Sequence, residues 1–152
     1  MEVQFFDFEA AFVKSLRCVP MIVRYKLDAC GIKLSLRAWN QFSISTRARL
    51  VTMKVGSLDE VQLYRNFLSE AILDVGEFVV PIEDNAQPAW ADLECIPEAV
   101  ARKAKELNVH IDIQRGWAKL RPLQRFALCK LTRSGHENEN FVPALREFGL
   151  TV

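Results

Sequence analysis

One pattern occurs twice in the chain, and this repetition constrains the fold more than any other feature of the sequence. Residues 16–53 align with residues 93–131 when one extra residue, Gln114, is allowed in the second copy. The spacing Leu-x-Cys-apolar-Pro is the same in both copies. The identical pairs are Leu16/Leu93, Cys18/Cys95, Pro20/Pro97, Val23/Val100, Lys26/Lys103, Arg37/Arg115, Trp39/Trp117, Arg47/Arg125 and Leu50/Leu128. Because they include the rare residue types Cys, Pro and Trp, these identities indicate an internal duplication.

Each copy predicts a helix after its proline. Pro20 and Pro97 suit the start of a helix, because the N–H that proline lacks would be unpaired there anyway. Apolar residues then recur at helical spacing. Gly31 ends the first pattern and Asn108 the second, and these residue types best accept a left-handed C-terminal cap.

An extended segment and two further helices are expected after each cap. Five residues alternate between apolar and polar side chains, as in a half-buried strand. Ser35 and Asp112 are also good N-cap residues. We therefore expect about three extended residues, then a short helix carrying Trp39 or Trp117, then a third helix. A pairing of the two extended segments with each other stays open.

A predicted helix and an acidic connector join the two copies. Ser57-Leu-Asp-Glu60 is a capping-box pattern, and the wide apolar stripe behind it predicts a central helix over residues 57–75. Residues 76–92 have two prolines and no helical period, which is typical of a loop. A last short helix is expected over residues 141–148, closed by Gly149.

These elements predict an all-α fold. Two pseudo-symmetric helical repeats would pack into a single domain over residues 1–152, with at most a minimal two-stranded pairing. A chain of 152 residues can bury a sizeable core without disulfides. The predicted core comprises Val23, Leu27, Leu34, Trp39, Phe42, Leu50, Leu68, Ile72, Val100, Ile111, Trp117, Leu120, Leu128 and Phe148.

The composition favours a cytoplasmic protein. No apolar run approaches the roughly 18 residues of a membrane span. The N-terminus is acidic and lacks the basic region of a signal peptide. The four cysteines form no C-x-x-C pair, so we expect buried structural thiols in a reducing compartment.

The net charge of +1 is spread unevenly along the chain. Residues 57–99 hold one Arg against ten acidic residues, whereas the segments on either side are basic. The acidic middle either neutralises the two basic repeats or forms a bipolar surface that steers a charged partner. The absence of a basic run argues against a nucleic-acid footprint, although a DNA-binding helix-turn-helix-like pair stays an alternative.

Two repeated arginines are the most informative polar residues. Arg47 and Arg125 each lie three residues before a leucine of the third predicted helix, so each faces the interior and needs acceptors or a carboxylate there. One hypothesis is a structural Trp–Arg–carboxylate lock inside each repeat, with the tryptophan stacked on the guanidinium. The other is a cleft between the repeats that binds an anion or a pterin-type ligand. That cleft would be lined by Arg37, Arg47, Arg115, Arg125, Trp39 and Trp117.

The histidines and the known catalytic motifs add little. His136 lies in the most polar run of the chain, residues 133–140, where it could bind a ligand or cap the last helix. His110 alternates with apolar neighbours and is expected to be exposed. Phosphate-binding loops and the zinc-protease and serine-hydrolase motifs are absent. The sequence therefore predicts no catalytic residue, metal ligand or cofactor, and an enzyme of an unrecognised type stays an alternative.

Several stretches together resemble a known family over nearly the whole chain. They are Phe8-Glu-Ala-Ala-Phe-Val-Lys-Ser-Leu-Arg-Cys-Val-Pro-Met21, Gly31-Ile-Lys-Leu-Ser-Leu36, Gln124-Arg-Phe-Ala-Leu-Cys-Lys-Leu131, Gly135-His-Glu-Asn and Asn140-Phe-Val-Pro-Ala-Leu-Arg-Glu-Phe-Gly-Leu150. The sequence resembles the nitrate reductase-associated protein family. The resemblance implies a small bacterial cytosolic protein, often encoded near nitrate reductase or molybdopterin-biosynthesis genes, and it implies no catalytic residue.

The resemblance and the lack of a catalytic motif lead to one expected function. We expect a non-enzymatic accessory protein of nitrate assimilation that acts through protein–protein contact with a nitrate reductase or with the maturation of its molybdenum cofactor. The alternative is the anion- or pterin-binding protein described above. Neither hypothesis requires a membrane or a nucleic acid as partner.

Overall fold

The computed structural model describes residues 5–10, 18–82, 88–109, 116–133 and 139–151. Within these ranges the chain forms seven α-helices, one two-stranded antiparallel sheet and short 3-10 helices at Asp7–Glu9, Ala89–Ala91 and Trp117–Lys119. The predicted all-α class, with at most a two-stranded pairing, is confirmed.

Two compact units make up the chain. The N-terminal unit comprises Met1–Phe5 and Glu9–Asp84, and the C-terminal unit comprises Phe6–Phe8 and Asn85–Val152. The single domain over residues 1–152 stays a prediction.

The N-terminal unit contains four α-helices and both strands. In chain order they are α1 Met21–Cys30, β1 Ile32–Lys33, α2 Leu36–Gln41, α3 Ile44–Thr52, α4 Leu58–Asp74 and β2 Val80–Pro81. Ser35, Ser43 and Ser57 each accept a hydrogen bond from the N–H three residues later, at 3.0–3.1 Å, and so cap the starts of α2, α3 and α4. The buried Glu9 carboxylate does the same for α1, since it accepts a hydrogen bond from the Met21 N–H at 3.1 Å.

The sheet joins the segment after α1 to the acidic connector. Ile32 lies opposite Pro81, and Lys33 lies opposite Val80. The prediction that residues 76–92 form only a loop is therefore wrong at β2, because a strand of two residues is too short to leave a period in the sequence. The pairing partner of β1 is this connector. In the second extended segment, residues 109–113, every residue after the first lies outside the described residues.

Helix α4 has nearly its predicted bounds but a narrower apolar stripe. Tyr64, Leu68 and Ile72 are buried, at a spacing of four residues. Leu58, an apolar residue at the start of the predicted helix, is exposed. Helix α4 packs against α1 and α3 along this one row, so the residues on its opposite side face solvent.

The C-terminal unit contains three α-helices. They are α5 Glu98–Glu106, α6 Pro122–Lys130 and α7 Phe141–Glu147. Pro122 occupies the first turn of α6, where proline is tolerated. Gly149 follows α7 with a φ of 76°, which confirms the predicted stop.

The two aligned segments share local structure where both are described. The carbonyl of Pro20 accepts two N–H hydrogen bonds at the start of α1, and that of Pro97 does the same at the start of α5. Gly31 and Asn108 follow these helices with φ values of 72° and 55°, so the predicted left-handed caps are confirmed. The duplication itself, and a superposition of residues 16–53 on 93–131, stay predictions.

Most of the predicted core is buried. Two residues are corrections: Leu34 and Phe148 are only half-buried. Leu34 lies between β1 and α2, and Phe148 lies one residue past the end of α7, so neither belongs to the buried face of a helix. Ile111 lies outside the described residues. The confirmed core residues are Val23, Leu27, Trp39, Phe42, Leu50, Leu68, Ile72, Val100, Trp117, Leu120 and Leu128.

A buried lysine and a buried tyrosine complete the C-terminal end of α3. The last carbonyls of a helix have no partner within the helix. Lys26 donates hydrogen bonds to the carbonyls of Val51, at 2.6 Å, and Met53. The hydroxyl of Tyr64 donates to the carbonyl of Leu50 at 2.8 Å. A positive charge here also interacts favourably with the negative, C-terminal end of the helix dipole.

Burial changes the protonation of Lys26. The side chain is 1 % exposed, and burial lowers the pKa of its ammonium group from 10.5 to about 8. The folded state therefore releases this proton at a lower pH than the unfolded state does.

We expect the wild-type protein to gain stability relative to a Lys26→Met variant as the pH rises from about 8 to about 10.5. In this window the unfolded chain binds the proton that folded Lys26 has lost, so the free energy of unfolding rises with pH. The gain should be about 2–3 kcal/mol across the window. Urea unfolding of both proteins at several pH values measures it.

The matched control is Lys54→Met, which removes a lysine at an exposed position. If the difference in the free energy of unfolding between wild type and Lys26→Met stays constant from about pH 8 to pH 10.5, burial does not lower the pKa of Lys26 as described.

Candidate functional site

Arg47 joins the start of α3 to the end of α2. Its Nε donates to the carbonyl of Trp39 at 3.0 Å, and its Nη2 donates to the carbonyl of Asn40 at 2.8 Å. Both carbonyls belong to the last turn of α2. The guanidinium carbon lies 5.9 Å from the centre of the Trp39 ring, and Trp39 is fully buried. The predicted contact between this arginine and this tryptophan is present in the N-terminal unit.

Arg125 and Trp117 hold a different segment in the C-terminal unit. Arg125 is buried; its Nε donates to the carbonyl of Trp90 at 2.9 Å, and its Nη1 donates to the carbonyl of Leu120. The indole Nε1 of buried Trp117 donates to the carbonyl of Asp92 at 2.7 Å. Together they fix residues 90–92 against α6.

The described contacts give Arg47 and Arg125 structural duties. Each guanidinium donates to main-chain carbonyls of its own unit, as the buried-acceptor part of the lock hypothesis requires. Arg37 is exposed and pairs with Glu77 at 2.8 Å. Arg115 and His136 lie outside the described residues. The anion or pterin site stays a prediction.

Sequence reasoning did not single out Lys26, although a signal was present. It is identical in both copies, and its spacing from Val23 places it on the buried face of α1. Its counterpart Lys103 is half-buried, and its Nζ lies 3.7 Å from the carboxylate of Glu106. The two equivalent lysines therefore make different contacts.

The cysteines do not share one environment. Cys30 is buried, Cys18 and Cys129 are half-buried, and Cys95 is exposed, so the expectation of buried thiols is wrong for Cys95. Burial raises the pKa of the Cys30 thiol and raises that of Cys129 to about 11. Both thiols are protonated at neutral pH and are poor nucleophiles. Cys95 lies in the surface segment that precedes α5.

A surface cavity of about 270 Å³ lies in the N-terminal unit. It is lined by the apolar side chains of Leu34, Ala38, Ile72, Phe78 and Val80 and by the polar side chains of Lys33, Ser35 and Glu77. We call these eight residues the Phe78 surface. The Phe78 side chain is 87 % exposed, so it stands out from the wall of the cavity.

Glu77 is a fixed negative charge at this cavity. Its carboxylate accepts hydrogen bonds from the Ser35 hydroxyl at 2.7 Å and from the Arg37 guanidinium at 2.8 Å. These two hydrogen bonds hold the pKa of Glu77 below its ordinary value. Its main-chain N–H donates to the carbonyl of Ile72 at 3.2 Å, which ties the Phe78 surface to α4.

The solvent-facing side of α4 is the second notable surface. Its residues lie opposite the buried row of Tyr64, Leu68 and Ile72; the first five recur at intervals of three and four, and the sixth directly follows the fifth. We call them the outer face of α4, and they are Asp59, Leu63, Asn66, Glu70, Leu73 and Asp74, all exposed. Leu63 is 62 % exposed and Leu73 is 57 % exposed. This face combines three carboxylates with two leucines.

Within the described ranges, no group of three or more His, Cys, Asp or Glu side chains is placed to hold a metal ion. No helix in these ranges is both long enough and apolar enough to cross a membrane.

The fold and these surfaces define a small, mostly helical protein with a cavity at an exposed phenylalanine and an acidic helix face. Residues 5–148 match the model of the conserved nitrate reductase-associated proteins, and the chain belongs to this family. The family name links the protein to nitrate reductase. No curated protein matches the chain, and neither does any solved structure.

We expect Arg47→Ala and Arg125→Ala each to lower the free energy of unfolding by about 2–4 kcal/mol, because each leaves helix-end carbonyls without a donor. The loss should be larger for Arg125, which is more buried. Urea unfolding of the single variants measures both losses.

Arg37→Ala is the control, since its guanidinium is exposed and its ion pair with Glu77 should contribute less than about 1 kcal/mol. Losses below about 1 kcal/mol for both Arg47→Ala and Arg125→Ala would remove the structural interpretation and favour the ligand-binding one.

Proposed function

We propose that this protein is a non-enzymatic accessory protein of nitrate assimilation. It acts by contact with a nitrate reductase or with the proteins that mature its molybdenum cofactor. Two things support this: membership of a family whose name links it to nitrate reductase, and the outer face of α4. The observation that carries the proposal is the exposure of Leu63 and Leu73 among carboxylates on that face.

The outer face of α4 has the features of a docking surface. Single exposed leucines are ordinary on a protein surface. Here two of them share one face of a 17-residue helix, and ten residues of helix separate them by about 15 Å. The helix is held in place by its buried side, so the face is already ordered before a partner binds and little conformational entropy is lost.

The charge of α4 favours a basic partner. The helix carries Asp59, Glu60, Glu70 and Asp74 against a single arginine, Arg65. The guanidinium of Arg65 donates to the carbonyl of Cys30 at 2.9 Å, which turns it toward the end of α1. A surface of one sign raises the association rate of a partner of the opposite sign. A basic surface with apolar side chains would complement this face.

We expect affinity capture from nitrate-grown cells to recover a nitrate reductase or a molybdenum-cofactor biosynthesis protein with the wild-type chain, but not with Leu63→Ser. This substitution removes an exposed apolar side chain from the face and leaves the buried side of α4 intact. Mass spectrometry identifies the recovered proteins.

Phe78→Ser is the matched control, because it removes an even more exposed apolar side chain from the other surface. Reproducible recovery of an unrelated partner, without any nitrate-assimilation or cofactor-biosynthesis protein, would overturn the proposed function. Recovery that Leu63→Ser does not reduce would overturn the role of the outer face.

A further inference from the structure

We propose that the Phe78 surface is the contact between two copies of this chain, in which Phe78 of each copy enters the cavity of the other. The proposal concerns a surface that the proposed function does not use. It requires a surface that is complementary to itself, since a twofold dimer brings the same patch of both copies together.

The shape of the surface meets this requirement. Phe78 protrudes beside a cavity whose other apolar walls are Leu34, Ala38, Ile72 and Val80. The surface thus offers an apolar knob and an apolar hole side by side. The cavity, at about 270 Å³, is smaller than the roughly 300–1,000 Å³ of typical small-molecule pockets, and its size suits one inserted side chain. A second phenylalanine would also meet Phe78 itself, and aromatic pairs add about 0.5–1.5 kcal/mol beyond the buried area.

The charges of the surface are also self-complementary. Lys33 and Glu77 line the same cavity, one positive and one negative. In the part of the chain that the structure describes, Lys33 makes no ion pair. The Glu77 carboxylate accepts two hydrogen bonds and has capacity for more. A twofold operation therefore allows Lys33 of each copy to approach Glu77 of the other, whereas a partner of one charge sign would meet a like charge.

The sheet edge favours side-chain contact over strand addition. The Ile82 N–H donates to the Gly31 carbonyl, and Val80 lies opposite Lys33. Because hydrogen-bonded pairs alternate along two antiparallel strands, the N–H and C=O groups of Val80 point toward β1. The nitrogen of Pro81 then points to the open edge of β2, where it has no hydrogen to donate. Proline at a sheet edge opposes pairing with another strand. The contact consequently depends on Phe78 rather than on main-chain hydrogen bonds.

Sedimentation equilibrium of the whole chain tests the proposal. We expect the wild-type protein to reach about twice the 17.4 kDa chain mass as its concentration rises. Phe78→Ser should raise the dimer dissociation constant at least about 30-fold, as for a central apolar anchor. Lys33→Glu should weaken the dimer as well, because it places two carboxylates together, while Lys33→Arg should retain it.

Leu63→Ser controls for the loss of an exposed apolar side chain and should dimerise like the wild type. Circular dichroism of each variant checks its fold, which should not change because Phe78 and Lys33 are exposed. A wild-type protein that is monomeric up to about 100 µM overturns the proposal, and so does a dimer that Phe78→Ser leaves unchanged. Capture of a different protein that depends on Phe78, without any dimer, assigns the surface to that partner and overturns it too.

Discussion

The fold depends on cations that complete the ends of short helices. A helix of six to ten residues leaves about as many carbonyls unpaired at its C-terminus as it pairs internally. Lys26 satisfies the end of α3, Arg47 satisfies the end of α2, and Arg65 reaches the end of α1. In the C-terminal unit Arg125 does the same for residues 90 and 120. These long side chains connect elements that are too short to pack extensively on their own.

Both surfaces proposed to bind other chains rest on α4. Its buried row of Tyr64, Leu68 and Ile72 fixes the helix against α1 and α3, which leaves the outer face ordered and exposed. The end of the same helix supplies Ile72 to the cavity and holds Glu77 by a main-chain hydrogen bond. Ser35 and Arg37 then fix the Glu77 carboxylate beside Phe78. A single well-packed helix therefore positions two separate surfaces.

Local chemistry made much of this fold predictable from sequence. The serines before α2, α3 and α4 and the left-handed caps at Gly31 and Asn108 act within a few residues, so the helix bounds follow from them. The strand β2 was missed because two residues carry no period, and its pairing partner β1 lies about 50 residues earlier in the chain.

The surfaces were harder to predict than the helices. A sequence pattern shows that Leu63 and Phe78 are apolar, but only the packing around them shows that they are exposed. The sequence predicts that Arg47 and Arg125 need buried acceptors. It cannot show which main-chain carbonyls accept their hydrogen bonds, because every residue has a carbonyl. The predicted contact with a tryptophan is present for Arg47, because Arg47 and Trp39 belong to adjacent helices.

Guanidinium groups that donate to main-chain carbonyls hold the helix ends, and hydrogen exchange at these groups tests this role most directly. Nitrogen-15 NMR resolves the Nε–H of individual arginines. Those of Arg47 and Arg125 should exchange with solvent many times more slowly than that of Arg37, because each donates to a part-buried main-chain carbonyl, whereas Arg37 is exposed. Exchange of all three at one common rate would contradict the account.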